Sequence, residues 1–416
     1  MKRTVCLLFL LSMEIAAQTT ELNKHLPAWL RFSGEYRARV EGFSGGGFRE
    51  DNEDAYLLNR FRINMKVQPS TWMKFVFQGQ DARVFWNSKV PNAPPYHDSM
   101  DLRLGFIELG DTESKPFGLR VGRQELAFGE QRLVGSLNWT NTARSFDAIR
   151  ATMRHGGYRL DAFAASVVVA RNGEFNKRVD GNNLHGLYGG IEKLVPKAVI
   201  EPYVLWRIAP RLRRKTFGVR WTGKLPRSFD YGIETAVQNG ALGTDSIHAW
   251  AGHWVLGYTV AGVRHKPRLL AEYNYASGDR DPRDGRWGGF DPLYPTGHDK
   301  HGLADQVGWR NIHHARSGIE WKPRQKLLLL GNYHSWWLAS RQDGLYSAGG
   351  ALLARVPDGS AGRHVGQEVD LQAIYTASRE VQIGFGYAHV VPGAFLKKAT
   401  PGKAYDFPYC MVTYSF

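Results

Sequence analysis

Cysteine is nearly absent: the 416 residues hold two, Cys6 and Cys410. Two thiols support neither a disulfide scaffold nor a Cys-based zinc cluster. Long apolar runs are missing as well. Outside the first few positions no stretch of about 18 apolar residues occurs, which excludes a helical membrane protein. Acidic residues are the minority charge, with 39 Asp and Glu against 54 Lys and Arg. What the chain has in abundance is glycine, at 46 residues, and aromatic rings, at 12% of positions with 13 Trp. That mixture suits strands joined by tight turns, with amphipathic rings at an interface.

The N-terminus reads as a secretory signal. Lys2 and Arg3 form a basic start, Val5 to Leu11 an apolar core, and Ala16-Ala17 a small-residue cleavage site before Gln18. Residues 1–17 are expected to be removed and 18–416 to form a single domain. Cleavage takes away Lys2, Arg3 and Glu14, moves the formal charge from +15 to +14, and leaves Cys410 as the single thiol.

The dominant period is two. From Arg31 to Glu41 one face carries Phe32, Gly34, Tyr36, Ala38 and Val40, and the other Arg31, Ser33, Glu35, Arg37, Arg39 and Glu41. Ala55 to Val67 sets Leu57, Phe61, Ile63, Met65 and Val67 against Tyr56, Arg60, Arg62, Asn64 and Lys66, with Leu58 and Asn59 as exceptions. Strict alternation is the mark of a strand with one greasy and one charged face. The pattern returns over 216–224, 229–238 and 365–375, and is poor over 158–169 and 184–192. Short connections (68–71, 155–157, 323–325, 376–380) are interspersed with long ones (42–54, 82–100, 127–145, 277–309, 338–364). This predicts an all-β, up-and-down antiparallel transmembrane barrel of about 18 strands, with short periplasmic turns and long extracellular loops. The final strand alternates Cys410, Val412 and Tyr414 with Thr413 and Ser415 and ends in Phe416, like the terminal signal of outer-membrane proteins. Trp72, Tyr158, Trp206, Trp221, Trp321 and Trp337 fall near strand ends, as membrane girdles require. The expected home is the bacterial outer membrane and the first partner its lipid bilayer. A soluble sandwich gives the same alternation, but so many strands exceed one sandwich and no Pro- or Ser-rich linker divides the chain.

If the apolar face meets lipid, the other face lines a lumen, because Lys or Arg at mid-depth on the lipid side costs about 2–4 kcal/mol. Early strands then point Arg31, Arg37, Arg39, Arg60, Arg62 and Lys66 inward, followed by Lys74, Arg103 and Arg120. Later strands add Arg150, Arg154, Arg220 and Arg316. Glu35, Asp230, Glu234, Glu272, Glu368 and Asp370 share that face. Rows of guanidinium in a low-dielectric wall concentrate anions and match carboxylates in two-point geometry. The predicted function is an anion-passing channel; Arg–Glu pairing that merely holds the barrel in shape is the plainer role for any single Arg. The basic residues form no arm, helix or aromatic-interleaved sheet of a nucleic-acid reader.

Residues 117–153 read FGLRVGRQELAFGEQRLVGSLNWTNTARSFDAIRATM, and 268–311 read RLLAEYNYASGDRDPRDGRWGGFDPLYPTGHDKHGLADQVGWRN. With GEYRARVEGF near the start and FQGQDARVF at 77–85, the chain resembles the alginate-export family of outer-membrane barrels from about Leu30 to Phe416. The resemblance implies a monomeric eighteen-stranded barrel whose Arg-rich lumen passes a uronate polymer, another anionic carbohydrate or a small organic acid. By the same match Arg123, Gln124, Arg132 and Asp147 are the conspicuous polar positions, and Arg132 lies in a loop able to fold inward and narrow the pore. Arg123 ends a strand and Asp147 opens the next one after a long loop. An Arg–Asp bridge there fixes the base of that loop.

No cofactor is required by this function. Asp279, Asp281, Asp284 and Asp291 offer oxygen ligands to Ca²⁺, without the spacing of an EF-hand; solvated turn residues are the default. His298, His301, His313 and His314 suggest a metal by type alone. An outer-membrane hydrolase needs a nucleophile beside an oriented His. His248, His253, His334 and Ser335 sit on strands, yet no Gly-x-Ser-x-Gly elbow is present. A plugged receptor or adhesin barrel is the other alternative.

Overall fold

A computed structural model describes residues 21–416; the expected signal peptide lies outside the described residues. Eighteen long strands, each bonded to its neighbour in the chain, form one closed antiparallel barrel. The first nine are β1 (Leu30–Phe43), β2 (Asp54–Ser70), β3 (Met73–Phe85), β4 (Asp98–Gly110), β5 (Phe117–Gln124), β6 (Phe146–His155), β7 (Tyr158–Val169), β8 (Lys177–Ile191) and β9 (Ala198–Ala209). The others are β10 (Leu212–Lys224), β11 (Phe229–Leu242), β12 (Asp245–Thr259), β13 (Arg268–Ala276), β14 (Ile312–Arg324), β15 (Leu327–Leu338), β16 (His364–Thr376), β17 (Val381–Pro392) and β18 (Tyr405–Ser415). β18 closes on β1, with Glu35 opposite Ser415 and Glu41 opposite Tyr409. Every strand therefore has two partners, which is how a sheet crosses lipid without an unpaired edge. No helix among the described residues is long and apolar enough to span a membrane.

The molecule is inside out relative to a water-soluble protein. In β1, Tyr36 and Val40 are 42% and 43% exposed, while Arg37 and Arg39 beside them are 4% and 1%. Phe61, Ile63, Val219, Leu256, Leu371 and Val412 are likewise exposed. Only hydrocarbon satisfies such an outer wall. The largest buried apolar cluster lies inside the barrel, where Leu126, Phe128, Leu133, Phe290, Tyr294 and Trp309 from two long loops pack on Phe146, Phe163 and Leu184 of the wall. This explains why β7 and β8 alternate poorly in sequence. Their inner faces carry Phe163, Leu184 and Tyr188 because they meet Phe128, whose ring lies 5.2 Å from Phe163 and 4.7 Å from Tyr188.

The predicted long connections all stand at one end of the barrel and the short ones at the other. Two tight hairpins also occur at the long-loop end, Ala209 to Leu212 and Leu242 to Asp245. Arg211 and Gly243 adopt φ of 60° and 62° there, the left-handed geometry that two-residue hairpins need. The rim is thus low over β9–β12.

Phe416 locks the closing seam. Its amide and carbonyl bond to Gly34, and its ring stacks on Phe61 and Tyr414 at 6.4 and 5.8 Å. A Cβ on Gly34 would sit 2.3 Å from that ring. Phe416→Ala is expected to lower the yield of folded barrel several-fold, and Gly34→Val to do the same. The readout is the heat-modifiable band in unboiled SDS gels. Undiminished yield from both variants would show that the seam does not depend on this packing.

Candidate functional site

Register places four guanidiniums in a compact block on the inner wall. Arg37 faces Arg60 and Glu35 faces Arg62 across β1–β2, with Gln80 of β3 opposite Arg62. So many like charges need acceptors, and the loop over residues 125–145 brings them by entering the lumen. Arg37 donates to the carbonyls of Asn138, Trp139 and Thr140 at 3.0, 3.1 and 3.2 Å. Arg39 donates to the Trp139 carbonyl at 2.7 Å and pairs with Glu41 at 2.7 Å. Arg60 joins the Asn138 carbonyl and Glu35. Arg62 binds the oxygens of the Gln80 and Asn138 amides at 2.7 and 3.0 Å, and its buried Nη2 has no hydrogen-bond partner. Arg103 reaches Gln78 and Glu125. Asn141 completes the dock, its amide donating to the carbonyls of Asn59, Arg83 and Tyr96.

The same loop touches the far wall. Arg132 pairs with Glu272 at 3.2 Å and approaches His253 at 3.3 Å, and Glu130 pairs with Arg220 at 3.4 Å. Burial pushes the Glu130 carboxyl up, but His253, Arg132 and Arg220 outweigh it and hold it well below the usual carboxylate range. Residues 125–145 therefore form a charged crossbar from β1–β4 to β10–β13. This is the inward fold expected of the Arg132 loop.

Other inward charges are mostly paired along the wall. Arg120 and Lys74 share Glu108, Arg150 takes Asp161 at 2.8 Å, Arg220 takes Glu201, and Arg316 takes Glu272 at 3.1 Å. Glu234 accepts the Tyr203 hydroxyl at 3.0 Å. Arg31 and Lys66 face each other near the turn-side mouth. Arg123 departs from the expected lumen set. It bridges Asp147 at 2.8 Å on the outward parity shared with Ile149 and Met153. The bridge across the loop base is present, and it places Arg123 outside the lumen.

The loop over residues 277–311 lies above the crossbar. Tyr294 and Val134 pair as a parallel bridge, and Thr296 and Gln131 bond through both backbone and side chain. Asp291 bridges Arg207 and Arg214 of the wall. Trp139 is sandwiched between Arg39 at 3.8 Å and His298 at 3.7 Å. Over this assembly opens a vestibule of about 1000 Å³ lined by Arg39, Arg144, Arg207, Arg214 and Arg310 together with Tyr56, Tyr96, Trp139, Trp287, Tyr346 and Tyr405. Arg144 donates to two loop carbonyls, and burial lowers it only to about 10, so it stays cationic. Arg310 rests on the Tyr346 and Trp287 rings at 3.9 and 5.2 Å. The rim cations Arg207, Arg214 and Arg310 escaped the sequence reading. The first two continue the inward parity of their strands and were legible; Arg310 sits in an irregular loop with no period to read.

A buried polar chain fastens this second loop to the wall. His301 meets His314 at 3.2 Å, His314 meets His334 at 2.9 Å, and His334 meets Asp370 at 3.0 Å. With one proton per ring, the Asn274 amide donates to His314 Nδ1, which His301 Nδ1 also approaches, and His314 Nε2–H donates to His334 Nδ1, while His334 Nε2 lies beside the Asp370 carboxylate without a hydrogen bond. Asp370 and Glu368 also accept the amides of Leu303 and Ala304. Burial, with Arg132 nearby, holds His301 well below the ordinary imidazole range. A second proton on His301 puts another positive charge into this buried site beside Arg132. Docking through His301 is thus at full strength above about pH 6.5 and weakens as pH falls below it, by up to about 1.4 kcal/mol per pH unit. Limited proteolysis within 277–311 is expected to be slow at pH 7.5 and several-fold faster at pH 5, and equal rates would refute this.

The loop carboxylates serve local turns. Asp279 accepts the Gly288 amide, Asp281 that of Arg283 and Asp284 that of Arg286. Among the described residues no three His, Cys, Asp or Glu side chains gather as metal ligands. His334 faces the lumen while Ser335 takes the opposite parity, so neither serves the other in hydrolysis.

The sequence model of the alginate export family matches residues 28–409. No match was found among curated proteins. Solved structures give the same architecture at low identity. Pseudomonas aeruginosa OccK8 (OprE) is 11% identical with a TM-score of 0.63, covering 93% of this chain and 98% of that one. Pseudomonas aeruginosa OpdQ is 12% identical at a TM-score of 0.63 over the same shares, 93% and 98%. Acinetobacter baumannii OccAB2 is 11% identical at 0.62, covering 92% and 98%.

Proposed function

The chain belongs to the alginate export family and forms an outer-membrane channel, and on that premise we propose that it passes organic anions as a monomer, uronates and related anionic carbohydrates foremost. The observation that carries this reading is the state of Arg37 and Arg62. Their hydrogen bonds go to carbonyl and amide oxygens alone, while the nearby carboxylates Glu35 and Glu125 bond Arg60 and Arg103, so the block of guanidiniums keeps an excess of positive charge. A permeating carboxylate meets that net positive potential beside the crossbar. Arg144 and Arg310 repeat the theme in the vestibule, where guanidiniums stand beside aromatic faces. A sugar acid presents both matching surfaces, a carboxylate for the fork and an apolar ring face for the aromatics.

Planar-bilayer recordings test this. A salt gradient is expected to give a reversal potential of anion-selective sign, and glucuronate to reduce chloride current at concentrations where glucose does not. Cation preference, or equal block by both sugars, would overturn it. The crossbar also favours a second reading, a plugged receptor; absence of steady current with tight uronate binding would establish that one instead.

A further inference from the structure

On the outer surface near the long-loop end, charged side chains mostly carry their own counter-ion. Arg83 pairs with Asp81 at 2.7 Å, Arg123 with Asp147 at 2.8 Å and His389 with Asp406 at 2.7 Å. The sector over β9–β12 is different. Arg211, Arg213, Lys215 and Arg286 are exposed, and no carboxylate pairs with any of them among the described residues.

Register fixes their height and direction. Lys215 is level with Asn239 and His248, and Arg213 with Ala241, Ser246 and Arg286. The outward rows below, Phe217–Val237–Trp250, then Val219–Thr235–Gly252, then Trp221–Ile233–Trp254, are apolar but for Thr235. The cations therefore stand just above the hydrocarbon band, at headgroup height, on the lipid side of the wall. The low rim of two tight hairpins leaves no loop to cover them. Arg213 and Arg286 are three strand spacings apart, about 14 Å, with polar Asn239 and Ser246 between the two arms.

We propose that this sector docks a bisphosphorylated glycolipid of the outer leaflet, one phosphate on Arg211, Arg213 and Lys215 and the other toward Arg286, with sugar hydroxyls over Asn239 and Ser246. Guanidinium forks match phosphate oxygens, and unpaired cations at headgroup depth attract anionic lipid. Unpaired cations rising into water on their long stems need no such partner, and the experiment separates the two.

Full-length barrel is equilibrated with the bisphosphorylated glycolipid in detergent, washed, and weighed by native mass spectrometry. The wild type is expected to retain the lipid. Replacement of Arg211, Arg213, Lys215 and Arg286 by Gln lowers retention at least about tenfold, while Arg83→Gln leaves it unchanged. The dephosphorylated glycolipid is expected to be lost from the wild type too, which decides the matter even if the fourfold variant fails to fold. Equal retention of both lipids, or undiminished retention by a folded fourfold variant, overturns the proposal. So does displacement by millimolar inorganic phosphate, which would mark a site for free anion.

Discussion

With Arg37 and Arg62 both replaced by glutamate, single channels are expected to lose anion preference and become cation-preferring. The two guanidiniums are held between β1–β2 and the crossbar, bonded to neutral oxygens. Reversal of both charges shifts the local potential for an ion a few Å away. At about 4 Å a unit pair is worth about 1 kcal/mol in water and about 4 kcal/mol near a protein surface. Screened to even 1.4 kcal/mol, the change alters an anion/cation permeability ratio about tenfold. Glutamate also repels the Asn138, Trp139 and Thr140 carbonyls, so the crossbar loosens and conductance rises. Two further variants separate the effects. Arg37→Lys with Arg62→Lys keeps charge but loses the fork, so selectivity should persist while open-channel noise grows. Arg37→Gln with Arg62→Gln should flatten selectivity without reversing it. Reversal potentials in a tenfold KCl gradient read all three, and unchanged anion preference in the glutamate pair would remove these residues from the ion path.

Much of the barrel was legible because lipid imposes a period of two that no soluble fold needs so consistently. Arg31 to Glu41 alternates without a break and became Leu30–Phe43. Legibility failed where the inner wall stops meeting water. Phe163, Leu184 and Tyr188 face inward as apolar residues because Phe128 packs on them, and no local rule announces a loop that arrives from elsewhere in the chain. The same event changes what the inward Arg residues do. Read from β1 and β2 alone, Arg37, Arg39, Arg60 and Arg62 line open water. In the fold they are 6% exposed or less and grip the crossbar. Arg123 shows the complementary error. Its motif was conspicuous, but parity at a strand end decides the face, and it bridges Asp147 outside the lumen. The His301–His314–His334 chain was visible only as residue types, since its links span separate strands and a loop.

Excision of Glu130 to Asn141, with a short Gly-Ser join, is expected to raise conductance several-fold and to weaken anion preference. These residues carry the central polar contacts of the loop across the lumen, Asn138 to Asn141 toward β1–β3 and Glu130 and Arg132 toward β10–β13, while Glu125 on Arg103 and Thr142 on Gln80 remain at its two ends. A barrel of this strand number encloses an aqueous channel unless something fills it. The wall does not need the crossbar to stay closed, because each strand is already paired on both sides and β18 seals on β1. The freed Arg residues become hydrated by the water that enters, so their buried bonds are exchanged rather than left unmade. Heat-modifiable mobility should therefore survive while single-channel current rises. Weaker selectivity follows from geometry, since a wider path moves ions away from Arg37 and Arg62 and lets salt screen them over about 10 Å at 0.1 M. If current stays at the wild-type level in a folded variant, the narrowest point lies elsewhere, with the Tyr294–Trp309 layer of the second loop the next obstruction.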